Sequence, residues 1–312
     1  MVKYFPFPSG FNLSMGTAPM KTGDLIVETD EHYIAEINLK RSLLTEDHAY
    51  YFNALPGSGP AEWDAVEAVI NDLIKGESAN FQADKSSSPQ WLFRNKLLDE
   101  NFNFTFGDDS TLPCAPLDWI GRQVQEDLIL LNAAGEVIAG QLCFPSGWAL
   151  HEKLGRQFMD VHAPLPEVMS PMIQSANKLL ERIPLNKPVA RNNWGFRLGD
   201  QLDFSSKHSA TYRRRLDEDL PGMSREDFGR KIFLRVEHQT LTRLPRSGCI
   251  LFTIHTYNSR LQAEATDPTR AQTLLSFLKT VPATLIEYKV MAPFYDKLID
   301  YLETLEFNEL RK

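Results

Sequence analysis

The chain has 312 residues, 43% hydrophobic and 24% charged, with a net charge of −8 at pH 7. Such a balance belongs to a soluble globular protein long enough to bury a large core, and it argues against nucleic acid, which asks for a basic face. Cys114, Cys143 and Cys249 are too few and too scattered for a disulfide framework or a zinc-ligand set, so a reducing, cytoplasmic setting is expected. Residues 1–8 lack the apolar core of a signal peptide, and no apolar run nears the ~20 residues that span a bilayer. No membrane partner is expected.

Asp30 is placed to cap a helix over residues 32–44 that carries Ile34, Ile37 and Leu44. Pro56-Gly57-Ser58-Gly59-Pro60 breaks the chain. Residues 61–75 then align Trp63, Val66, Val69, Ile70 and Leu73 on one helical face, and Gly76 closes the helix. The polar stretch 80–89 reads as a loop. Residues 127–131 and 136–144 are strand-like runs around an Ala134-Gly135 turn. After the break at 145–148, a short helix is expected over 149–155. A second, amphipathic one is expected over 167–182, with Val168, Met172, Ala176 and Leu179 on one side. Residues 188–198 read as strand, and 267–279 and 293–305 as helix.

The run 231–245 alternates like a strand. Ile232, Leu234, Val236, His238 and Thr240 share one face, while Phe233, Arg235, Glu237, Gln239 and Leu241 share the other. A turn at 245–248 leads into a second run, 249–257, so the pair predicts a hairpin with an Arg-Glu-Gln row on one face. Taken alone, that row belongs to a half-buried strand with its polar face in water. At least five strands, joined largely as hairpins and flanked by helices, predict an α+β antiparallel layout in one domain, residues 1–312. The nearest phosphate-loop candidate, Gly195 to Gly199, lacks the helix that dinucleotide binding needs, and no internal repeat is present.

The hairpin run Arg235-Val236-Glu237-His238-Gln239-Thr240-Leu241, continued by Arg243-Leu244-Pro245-Arg246-Ser247-Gly248 and Phe252-Thr253-Ile254-His255-Thr256-Tyr257, resembles the signature of the haem-dependent oxidative N-demethylase alpha-subunit family. Matching pieces occur in the family's order. They include Tyr4-Phe5-Pro6-Phe7, Cys143-Phe144-Pro145-Ser146-Gly147-Trp148, Val161-His162-Ala163-Pro164-Leu165-Pro166 and Arg191-Asn192-Asn193-Trp194. The resemblance covers most of the chain, and its pieces are specific together where each alone is weak. His238 and His255 depart from it, since arginine is usual at both positions.

The resemblance implies a PAS-like five-stranded antiparallel sheet, elaborated by helices at both ends and gripping haem b. It implies monooxygenase chemistry on a small secondary amine such as dimethylamine, giving methylamine and formaldehyde. Electrons would come from reductase subunits carrying FMN and a [2Fe-2S] cluster, with NADPH as donor, because this chain has no iron–sulfur or flavin motif of its own. Tetrahydrofolate, which captures formaldehyde, is associated with such complexes. A haem-binding sensor of gas or amine without turnover is the alternative, since fold does not fix function.

Among seven histidines, His151, His162, His238 and His255 are the candidates for an axial ligand. By itself His162 fits a histidine satisfied by backbone hydrogen bonds beside a proline turn; the resemblance implies that it binds iron. Glu237 is implied as the catalytic carboxylate, with a structural Arg235–Glu237 pair as the plainer reading. Arg191, Trp194, Arg235 and Gln239 are implied as cofactor contacts. Within that set, Arg191 suits either a propionate or the oxygen site, Trp194 either covers the macrocycle or fills the core, and Gln239 orients Glu237. Arg243 and Arg246 are expected to be solvated.

Overall fold

The computed structural model describes residues 1–12, 14, 16–161 and 166–309. Ten strands lie within them: β1 Ala18–Pro19, β2 Phe52–Ala54, β3 Phe81–Asp84, β4 Gln90–Asn95, β5 Glu100–Thr105, β6 Asp127–Leu131, β7 Val137–Gln141, β8 Val189–Leu198, β9 Ile232–Arg243 and β10 Ile250–Arg260. Seven form one antiparallel sheet in the order β1-β8-β9-β10-β6-β7-β2, and β3-β4-β5 form a second. The expected five-strand sheet is therefore corrected to seven, because the short edge strands β1 and β2 add to the five read from the sequence. The hairpin strands pair as read, from Arg243 opposite Ile250 to Phe233 opposite Arg260.

The stretch expected to be a loop over 80–89 starts instead with β3, which pairs with β4. Phe81, Trp91, Phe93 and Phe104 of the small sheet are buried against Trp119 and against Val66 and Ile70 of the Gly59–Glu77 helix. Polar residues on its outer face hid that sheet from a hydrophobicity reading. The helix expected over 149–155 shrinks to a single tight turn at Leu150–Glu152. The next helix spans Ser170–Arg182 and buries Ile173, Ala176 and Leu180, one position off the predicted side.

Both faces of β9 are buried along most of its length, unlike an ordinary half-buried strand. Ile232, Leu234 and Val236 join a core with the Pro268–Leu278 helix, which contributes Leu274, Leu275 and Leu278. On the opposite face Leu241, Ile250, Ile254 and Ile129 pack with Leu180 and Ile183 at the end of the Ser170–Arg182 helix. Arg243 is not solvated: its guanidinium donates to the carbonyls of Ile183 (2.7 Å), Leu180 (2.7 Å) and Gly248 (2.7 Å), fastening that helix to the hairpin turn. Arg246 pairs with Glu67 and lies 4.6 Å over the Phe106 ring.

Lys40 fixes the N-terminal helix Tyr33–Glu46 to the chain entering β6. Its ammonium is fully buried and donates to the carbonyls of Gly121 (2.9 Å), Val124 (3.0 Å) and Glu126 (2.6 Å). Lys40→Met fills the space but orphans three carbonyls, so we expect it to lower the unfolding free energy by about 3 kcal/mol. A urea titration that finds the variant within about 0.5 kcal/mol of wild type contradicts this role.

Candidate functional site

A cavity of about 770 Å³ lies against the inner face of the large sheet. Its apolar walls come from Ile129, Leu131, Leu241, Phe252 and Ile254 of the sheet and from Met172, Ile173 and Leu180 of the Ser170–Arg182 helix. Its polar end is the Arg-Glu-Gln row of β9 together with β8, where register sets Asn193 opposite Glu237, Arg191 opposite Gln239 and Gly195 opposite Arg235. Opposed residues of an antiparallel pair share a face, so five charged or amide side chains of the two strands meet there by pairing alone.

The Glu237 carboxylate is buried. Its Oε2 accepts from Asn193 Nδ2 (3.1 Å) and Gln239 Nε2 (2.9 Å), and the Ser146 side chain adds a further hydrogen bond. Arg235 Nε stands 3.9 Å from Oε1. Burial alone raises its pKa, but the Arg235 charge, the hydrogen bonds from Ser146 and Asn193, and Lys289 outweigh it. The net shift is downward. Glu237 is therefore an ionised carboxylate at neutral pH.

Arg235 is held as tightly as the group it serves. Its Nη2 donates to the carbonyls of Phe144 (2.6 Å) and Pro145 (3.3 Å), and its Nη1 donates to that of Gln201 (3.3 Å). Burial pulls its pKa down to about 10, with the Glu237 charge opposing, which still leaves a cation at neutral pH. The same loop is gripped from its other side by Asp127, which accepts from the backbone N–H groups of Cys143 (2.7 Å) and Phe144 (2.8 Å). The Cys-Phe-Pro-Ser-Gly motif is thus pinned between a carboxylate and a guanidinium, and it presents Ser146 to Glu237.

Three further cations line this end. Arg191 makes no side-chain hydrogen bond among the described residues, and its Nε is buried without a partner. Arg197 Nη1 donates to the carbonyls of Phe196 (2.9 Å) and Lys289 (2.7 Å). Lys289 Nζ donates to Asn193 Oδ1 (3.1 Å) and the Trp194 carbonyl (2.6 Å), and sits 4.5 Å over the Trp194 ring. Burial first, then Arg197, lowers the Lys289 pKa to about 7 against the pull of Glu237. Trp194 also packs edge-on to Phe7 and Phe277. Sequence reasoning did not single out Arg197 or Lys289. Arg197 shares strand parity with Arg191 and Asn193, which was a usable signal. A lysine after a short helix reads as solvated, so Lys289 had none.

The structure brings Glu237, Arg235, Gln239, Arg191 and Trp194 to one cavity. His151 is exposed beside Tyr50 and is not part of the cavity wall. His162 lies outside the described residues, although Val161 before it and Met169 after it line the cavity. His238 and His255 are opposite each other in the β9–β10 register, on the face turned away from Glu237. His238 stacks on Tyr4 at 3.9 Å and bonds Asn192 Oδ1 (2.8 Å). His255 bonds Glu126 Oε1 (2.7 Å), lies 3.6 Å from Asp30 and stacks on Tyr257. Among the described residues no cluster of three or more His, Cys, Asp or Glu is arranged to hold a metal.

A family model described as haem-dependent oxidative N-demethylase, alpha subunit-like, matches residues 16–299. The chain belongs to this family. The matched span includes both hairpin strands, the pinned loop and most of the residues that line the cavity. Haem needs an apolar slot for its macrocycle and cations for its propionates. The apolar walls together with an arginine that lacks a hydrogen-bond partner fit that group. No helix of the described residues is long and apolar enough to cross a membrane.

His255 provides a check on the reverse face. Burial opposes its protonation, but Glu126, Asp30 and Glu36 outweigh burial and raise its pKa to about 10. A folded-state value above the unfolded one, near 6.5, means that the imidazolium stabilises fully below that pH and less as pH rises toward 10. We expect wild-type stability to fall more steeply than that of His255→Arg between about pH 7 and about pH 10. Parallel denaturation curves for the two proteins across that window would remove His255 from this role.

Proposed function

We propose that this chain is the haem-carrying oxygenase subunit of a complex that oxidatively N-demethylates a small secondary amine, with dimethylamine the leading example and methylamine and formaldehyde the products. The observation that carries this reading is an ionised, hydrogen-bonded Glu237 at the polar end of an otherwise apolar cavity. A secondary amine is an ammonium at neutral pH, and Glu237 is the group that binds it. Asn193 and Gln239 donate to Oε2, and the carboxylate keeps lone pairs beyond these and the Ser146 hydrogen bond to accept from the substrate N–H. Its depressed proton affinity makes Glu237 an anchor first. It becomes a proton acceptor as the bound amine is oxidised and grows more acidic.

Haem b, when bound, supplies the oxygen and redox chemistry. On the family resemblance His162 would hold its iron, with the cavity-lining Val161 beside it in support. Arg191 would meet a propionate. Trp194, Arg235 and Gln239 would complete the cofactor and substrate surroundings, Arg235 through the loop it holds. Electrons would come from separate subunits carrying FMN and a [2Fe-2S] cluster with NADPH as donor, and tetrahydrofolate would take up formaldehyde. We read residues 1–312 as one functional unit in the cytoplasm, built on a PAS-like core. Without the two- and three-residue edge strands β1 and β2, five antiparallel strands remain in the order β8-β9-β10-β6-β7, which supports that core.

The test is an absorption spectrum of the haem-supplied protein with its reductant, followed by two variants. Glu237→Gln is expected to keep the Soret band and lose at least about 100-fold in amine turnover. Normal turnover in that variant overturns the mechanism. A wild-type protein that binds haem and perturbs its spectrum with amine, yet never turns it over, is a sensor instead. His162→Ala is expected to lose haem, and an unchanged haem spectrum there moves the axial ligand elsewhere.

A further inference from the structure

We propose that the amine bound here carries an acid group of its own, as an N-methylated α-amino acid does, with Glu237 taking the ammonium and Arg197 and Lys289 taking the carboxylate. This rests on reading Glu237 as the amine anchor and narrows the substrate class of that site.

Charge is the first argument. Among the described residues two carboxylates line the cavity; Glu152 caps its own turn through the Ala149 N–H (3.3 Å), and Arg191, Arg197, Arg235 and Lys289 stand around Glu237. Arg235 belongs to Glu237 and to the loop carbonyls, and Arg191 is left for the cofactor. Arg197 and Lys289 then have no anion of their own among the described residues. Buried cations without counter-charge are costly, and burial already draws Lys289 toward its neutral form, so an anion bound here would restore its charge and match that of Arg197. A plain dialkylammonium adds another positive charge to the site. A zwitterion brings its own carboxylate.

Geometry is the second. A Cβ added to Gly195 would meet Arg197 Nη1 at 3.3 Å, so the guanidinium folds back over the bare backbone of Gly195. Gly195 is opposite Arg235 in register and two residues from Asn193, which sets the Arg197 charge in the row that holds Glu237. Arg197 Nη1 in turn holds the Lys289 carbonyl (2.7 Å), and its other two nitrogens make no hydrogen bond among the described residues. Asn193 joins the two anchors, accepting from Lys289 Nζ (3.1 Å) and donating to Glu237 (3.1 Å). Ammonium and carboxylate subsites are thus separated by one side-chain amide, the span an α-amino acid covers with a hydrogen bond at each end.

Backbone strain is the third. The Ala283–Tyr288 helix closes with Val290 N–H on the Glu287 carbonyl (2.9 Å) and Met291 N–H on that of Ile286 (3.0 Å). Val290 itself has φ of +57°, where glycine is usual and a β-branched residue is strained. Strain of this kind persists where the surroundings hold it, and here it fixes the turn that carries Lys289.

The experiment titrates the haem-loaded full chain with N-methylglycine, dimethylammonium and acetate, by calorimetry and by the shift of the Soret band. N-methylglycine is expected to bind at least tenfold more tightly than dimethylammonium, about 1.4 kcal/mol. Arg197→Gln and Lys289→Met are each expected to bring that ratio toward one while the haem spectrum stays as in wild type. Dimethylammonium binding as tightly as N-methylglycine in the wild type overturns the proposal and spares the amine-site reading. Loss of haem in Arg197→Gln with an unchanged ratio also overturns it, by assigning the cation to the cofactor. If Glu237→Gln changes neither amine's affinity, both this proposal and the reading beneath it fail.

Discussion

A single buried guanidinium organises the site. Arg235 is buried, and its charge is met by carbonyls on two sides and by Glu237 on a third. The Phe144 and Pro145 carbonyls belong to the loop that brings Ser146 to Glu237, and the charge holds Glu237 ionised against its burial. Loop position and carboxylate protonation therefore depend on the same group. Asp127 holds the loop's N–H groups as Arg235 holds its carbonyls, which leaves this turn few ways to move.

The sheet separates two buried polar systems that share the strands β9 and β10. One face carries Arg235, Glu237 and Gln239 into a cavity. The other carries His238 and His255 into a closed network with Glu126, Asp30, Tyr4 and Tyr257, whose phenol meets Glu28 at 2.6 Å. The first has room and cations to spare. In the second, the imidazolium of His255 is matched by carboxylates within the protein. An arginine at 255 would hold this charge at every pH, whereas the imidazolium loses it as pH rises. His255 therefore bears on stability rather than on the cavity, because strand parity sets it behind the sheet.

Much of this was legible in the residues themselves. Alternation in 232–241 assigned each polar side chain to a face before any partner was known, and the β9–β10 hairpin forms over the strands that were read. The helix carrying Trp63, Val66, Val69, Ile70 and Leu73 follows from its spacing, and all five are buried. The small sheet was missed because β3 and β5 expose polar residues at alternate positions. The tight turn at Leu150–Glu152 was overcalled as helix from a glycine stop that serves a shorter element.

The sequence by itself determined which side chains share a face, since a strand's two-residue period is a local property of the backbone. It also determined the family, through motifs whose order survives along the chain. Only the tertiary structure decided that the Arg-Glu-Gln row is buried, because burial depends on what packs over a strand and not on the strand. It alone brought Asn193 opposite Glu237 and Lys289 onto Asn193, pairs 44 and 96 positions apart along the chain. Contacts at such separations depend on strand register and on the angle at which a distant turn docks. No pattern within either segment encodes them.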